Sequence, residues 1–146
     1  MILPIYTYGQ SVLRKETEEI DGNYENIGQL IRDMFETLRN ADGVGLAAPQ
    51  VGLPTRLMVV DLDIISDDMP EFKGYLKAYI NPYIEEIGDE TSTFEEGCLS
   101  FPGIHEKVVR PSRVRVSWMD ESFQQHDEWF EGFPARVMQH EIDHLN

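Results

Sequence analysis

The stretch that most constrains this chain is PARVMQHEIDHLN, residues 134–146. Proline is tolerated in the first turn of a helix, so the segment is predicted helical with Pro134 in that turn. His140 and His144 then stand at i and i+4, one turn apart on one face. Two neutral imidazoles so placed can share one divalent ion. Glu141, beside them, is close enough to handle a proton from water on that ion. Which chemistry such a helix supports depends on where a third ligand comes from.

Metalloproteases with the HExxH pattern commonly draw a third ligand, often Glu or His, from downstream of the helix. Here only Leu145 and Asn146 follow His144 in the sequence. Upstream, the candidates are Cys98, His105, His126 and many carboxylates. Cys98 is the sole thiol, and a thiolate binds zinc or ferrous iron strongly. It lies in EEGCLSFPG, where Gly97 lets backbone or substrate approach closely. A lone cysteine is ordinarily a small buried hydrophobe. Beside an HExxH helix the ligand reading is favoured, and an HExxH metalloendopeptidase stands as the alternative function.

At 146 residues with 41% apolar side chains, the expectation is one domain, residues 1–146, with its own core. No window approaches the roughly 18 apolar residues needed to span a bilayer. The N-terminal MILPIYTYGQ lacks the pattern of a signal peptide. One cysteine allows no internal disulfide, so a cytoplasmic location is expected. The net charge of −15 disfavours nucleic acid or anionic membrane as partners, since no broad basic face is available.

Along the chain, Ile27, Leu30, Ile31, Met34, Phe35 and Leu38 recur at helical spacing. They predict an amphipathic helix over 24–39, capped by Asp21 or Asn23. In ADGVGLAAPQVGLP the glycines and prolines argue against regular structure. TRLMVVDLDI predicts a strand, and the acidic ISDDMPEFKGYLK an excursion between strands. AYINPYIEEIGDE predicts a strand broken by Pro82, whereas STFEEGCLSFPG is ambiguous. SRVRVSWMD alternates as a strand does, and HDEWFEGF is expected to pair with it through a turn around 121–125. Helix, strands, then helix implies an α+β fold.

Three segments resemble the signature motifs of peptide deformylases: GVGLAAPQ (43–50), EGCLS (96–100) and QHEIDHLN (139–146). They occur in that family's order and with similar spacing, and the resemblance runs from the first helix to the last residue. It implies antiparallel sheets packed around a central C-terminal helix that bears HExxH, beside the amphipathic helix that the apolar spacing predicts toward the N-terminus. It also implies removal of the formyl group from N-formylmethionine on nascent chains.

Residue by residue, the resemblance implies that Cys98, His140 and His144 bind one divalent ion, usually Fe2+, with Zn2+, Ni2+ or Co2+ also accepted. Such an ion lowers the pKa of bound water, and the hydroxide would attack the formyl carbon. Glu141 would take the water's proton and pass it to the departing amine. The Gln50 amide and the Leu99 backbone N–H would hold the oxyanion. Gly43 and Gly45 allow an extended or left-handed backbone that a substrate strand can approach, with Gly97 near it. The resemblance pairs Val44 and Gly45 with the peptide backbone.

Val44, Phe94 and Val137 are the candidates for the wall of a methionine pocket. Glu96 is a candidate second contact to the ligands, and His105 a candidate peptide contact. Asp143 is expected to pair with Arg110, Arg113 or Arg136. The implied partners are formylmethionyl peptides and nascent chains, with ribosome contact left open and a monomer expected. The family normally continues past HLN, so the domain is expected to be cut short just after the motif.

Overall fold

The first helix forms where the apolar period places it. In a computed structural model that describes residues 1–5, 17–98 and 101–146, with side chains for 1–5, 17–93 and 107–146, α1 spans Ile27–Asn40. It turns Ile31, Met34 and Leu38 inward, all buried. Its start falls later than the expected residue 24. Asp21 is not the cap: its carboxylate accepts the Asn23 N–H at 2.9 Å in a preceding turn. Asn26, left-handed at φ 57°, ends that turn and stands at the N-cap without a side-chain cap bond.

The strands are β1 (Gly45–Ala47), β2 (Leu57–Asp61), β3 (Leu76–Ile87), β4 (Thr91–Cys98), β5 (Phe101–Pro111), β6 (Arg113–Met119) and β7 (Gln125–Glu131). Helix α2, Gly132–Leu145, closes the order. One sheet runs β1-β2-β3-β6-β7 and a second consists of β4-β5. All pairings between these strands are antiparallel.

Around β1, β2 and the first half of β3 both faces of the larger sheet are buried, and β2 shows how. Successive side chains of a strand point to opposite faces. Met58 and Val60 join Tyr79, Val114, Val116 and Trp118 in a core under α2, completed by Ala135, Met138, Ile142 and Leu145. Leu57 and Val59 join Ala78 and Ile80 in a second core under α1, with Ile31, Met34 and Leu38. A strand covered on both sides reads as an unbroken apolar run, which LMVV does.

Two local expectations are corrected and one ambiguity is resolved. GVGLAAPQ is not wholly irregular: Gly45, Leu46 and Ala47 pair with Val60, Val59 and Met58. Ala48–Val51 then forms a 3-10 turn ending at left-handed Gly52. Pairing with β2 supplies the backbone partners that the local sequence does not advertise. Pro82 does not break β3, because it falls at an irregularity where the register slips between Ile80 and Tyr83. A bulge tolerates a residue with no N–H, and left-handed Asn81, φ 51°, makes the bend. The ambiguous stretch falls, at residues 92–98 and 101–103, in strands β4 and β5, which pair from Thr91↔Pro111 to Cys98↔Phe101. The strand SRVRVSWMD and its partner over HDEWFE form as expected. The acidic excursion holds two short 3-10 turns, Asp63–Ile65 and Pro70–Phe72.

Candidate functional site

Helix α2 lies across the sheet with its apolar side on the core and its HEIDH segment toward β1. Glu141 is only 4% exposed. It owes its place to Gly45: a Cβ built there would stand 2.6 Å from Glu141 Oε2 and 2.8 Å from its Cδ and Cγ. The carboxylate thus fills the space that any larger residue of β1 would occupy. Packing against β1 therefore fixes where this carboxylate stands.

His140 and His144 are half-buried. Their rings lie edge to face, centroids 5.2 Å apart and planes at 73°. Gln50, at the end of GVGLAAPQ, is buried, and its Oε1 accepts the Ala47 N–H at 2.9 Å. That bond anchors the amide by its oxygen, and the NH2 is the donor end of the same group. Gly43 closes α1 by donating its N–H to Leu38 O at 3.2 Å, and the Val44 carbonyl accepts the Asp61 N–H at 2.9 Å. Val44 packs at the margin of the core under α2, while Val137 lies within that core. Because β1 ends the sheet order, this glycine-bearing strand is a sheet edge.

Three side chains of α2, at i, i+3 and i+7, tie the helix to the β4–β5 hairpin. Arg136 donates to Val108 O at 3.0 Å, Ser92 O at 2.8 Å and Ser92 Oγ at 3.1 Å. Gln139 donates to Pro111 O at 2.8 Å. Asp143 pairs with Arg110 at 2.6 Å, so of the three expected partners Arg110 is the one it meets. Arg113 instead lies over the Trp129 ring, 4.5 Å from its centroid. Position was the only available signal for Arg136 and Gln139: both flank HEIDH on the side facing the hairpin.

Cys98 ends β4, and the backbone of Gly97 stands opposite His105 and that of Phe94 opposite Val108. The side chains of Phe94, Glu96, Cys98 and His105, and Leu99 entirely, lie outside the described residues. Among the described side chains no group of three or more His, Cys, Asp or Glu gathers into a metal site. The two imidazoles of α2 are two donors of the kind a borderline divalent ion accepts, and the Glu141 carboxylate stands beside them. His126 has no place here: it bonds Asp120 at 2.8 Å and stacks on Trp118.

Fold and site together are those of an α+β hydrolase, with a buried acid and paired imidazoles set against an edge strand. The model of the polypeptide deformylase family matches residues 2–146, and the chain belongs to that family, which removes the formyl group from nascent peptides. It is 46% identical to the peptide deformylase of Salinibacter ruber over 150 residues, covering 100% of this chain and 77% of that one. It is 48% identical to that of Flavobacterium psychrophilum over 153 residues, covering 99% and 78%. The crystal structure of peptide deformylase from Thermotoga maritima superposes with a TM-score of 0.89 at 41% identity, covering 100% of this chain and 92% of that one. A peptide deformylase from Synechococcus elongatus in complex with actinonin gives 0.88 at 38%, covering 99% and 74%. Among the described residues no helix is long and apolar enough to cross a membrane.

Proposed function

We propose that residues 1–146 act as one catalytic domain that hydrolyses the formyl–nitrogen bond of formylmethionyl nascent chains in the cytoplasm, as a monomer. The observation that carries the mechanism is the seat of Glu141 on Gly45. It supports an acid–base group held against the strand on which a substrate peptide would lie. Cys98, His140 and His144 would hold one divalent ion, Fe2+ in the cell, with Zn2+, Ni2+ or Co2+ able to replace it. When bound, such an ion lowers the pKa of water and polarises a carbonyl oxygen.

Glu141 takes the proton of the attacking water and delivers it to the amine as the C–N bond breaks, leaving formate and a free N-terminus. The Gln50 NH2 and the Leu99 N–H donate to the oxygen on which charge develops. Anchoring the Gln50 amide through Ala47 supports that role, because a donor that need not reorganise stabilises best. Val44 and Gly45 pair with the peptide backbone, Gly43 and Gly97 leave room for it, and Val44, Phe94 and Val137 wall the methionine pocket.

The test is formate release from a formyl-Met tripeptide by anaerobic, iron- or nickel-loaded protein, with an acetyl-Met peptide as control. Glu141→Gln should retain its metal and lose about 10²–10⁴-fold in turnover, the range for a positioned acid–base group. Normal turnover in the metal-loaded variant would refute the role.

A further inference from the structure

Arg56, in the approach to β2, has a guanidinium buried to 5% exposure. Its Nε and Nη2 donate to the Pro82 carbonyl at 3.0 and 2.7 Å, and its Nη1 to the Leu145 carbonyl at 3.2 Å. The Thr17 hydroxyl donates to the same Leu145 oxygen at 2.5 Å. The Tyr83 ring covers the guanidinium, 3.9 Å from centroid to Cζ, and the Tyr83 hydroxyl bonds Glu19. Pro82 lies in the irregularity of β3, which leaves its carbonyl to the arginine rather than to the ladder.

Arg56 and Thr17 both bond the Leu145 carbonyl, so this oxygen is satisfied from outside α2. Leu145 directly follows His144, so the group that satisfies its carbonyl also fixes the turn bearing that imidazole. His140, a turn earlier, is held by the body of α2. We infer that Arg56 is a positioning residue for His144: one rigid fork locks the final turn of α2 to the bulge of β3. The inference rests on His140 and His144 being metal ligands. It assigns to Arg56 the pre-ordering of one of them, so that binding the ion does not have to order the turn. A lysine keeps the charge but lacks the planar fork that reaches two carbonyls at once.

The experiment is titration of the metal-free protein with Co2+, followed by visible absorption, with far-ultraviolet circular dichroism and thermal melting alongside. Arg56→Lys should bind Co2+ about tenfold more weakly, as loss of a ligand-orienting partner does, with its helix content kept. Thr37→Val is the reference for plain destabilisation. On α1 the Thr37 hydroxyl donates to Asp33 O and accepts the Leu3 N–H, so this variant should melt earlier yet bind Co2+ like the parent. Parent-like Co2+ affinity and spectrum in Arg56→Lys would overturn the inference while leaving the metal site standing. Should Arg56→Lys not fold, Tyr83→Leu removes only the covering ring. A weakening of about two- to fivefold is then expected, and none would overturn the inference. If the parent itself binds no Co2+, the reading of the site falls and this inference with it.

Discussion

Glu141 and Gly45 form a pair in which the absent side chain matters as much as the present one. With 2.6 Å between a built Cβ and Glu141 Oε2, Gly45→Ala must push the carboxylate from its seat. A displacement of that order costs about 10–100-fold in kcat when the displaced group handles the reacting proton. Because the loss acts through Glu141, Gly45→Ala combined with Glu141→Gln should be little slower than Glu141→Gln alone. Formate-release kinetics on the four proteins check this, and multiplicative losses would show that Gly45 acts elsewhere. At this scale the sequence was informative about identity and silent about contact. HEIDH and the glycines of GVGLAAPQ point to an acid and a close approach, but nothing local says that they meet each other.

Among elements, the junction of α2 with the β4–β5 hairpin governs how the two signature segments meet. The hairpin carries Cys98 at the end of β4, and α2 carries both histidines. Arg136, buried and donating to Val108 O and to two Ser92 oxygens, is the central tie. Arg136→Met should lower stability by about 2–3 kcal/mol, the range for losing hydrogen bonds to a charged group with the acceptors left inside. Urea unfolding measures it, and a midpoint equal to the parent's would mean that the hairpin is held by other contacts. The hairpin itself was the least legible element. Its β4 segment mixes glycine, cysteine and acidic residues in EEGC, with no clean alternation to mark a strand.

Over the whole molecule, helices α1 and α2 cover opposite faces of the sheet around β2, and Tyr79 lies in the core on the α2 side. It packs 5.1 Å from Trp118 and 6.3 Å from Phe130, and its hydroxyl meets that of Tyr75 at 2.6 Å. Burial pushes its phenol far above the ordinary tyrosine value. A group with a raised folded pKa contributes stability that is fully present below the unfolded pKa, about 10 for tyrosine. That contribution is lost as pH rises through the folded value. Stability should therefore begin to decline above about pH 10, and Tyr79→Phe should flatten that decline by up to about 1.4 kcal/mol per pH unit. Urea unfolding of both proteins at pH 8 and 11 decides it; parallel declines would assign the alkaline loss to another group.

Periodicity, residue type and motif order belong to the chain itself. They were enough for α1 to within a few residues, for β2 as a strand, for the β6–β7 pair, for α2 and for the family. Each follows from interactions within a turn or along a strand, so local pattern carries it. The tertiary structure alone decided the rest: the pairing of β1, the continuity of β3 through Pro82, the seat of Glu141 on Gly45 and the reach of Arg56 to Leu145. Those depend on which distant segments come into contact, and there unpaired carbonyls and filled volume choose the partners. A glycine reveals its purpose only beside the side chain that occupies its space, and a buried arginine only beside the carbonyls it satisfies.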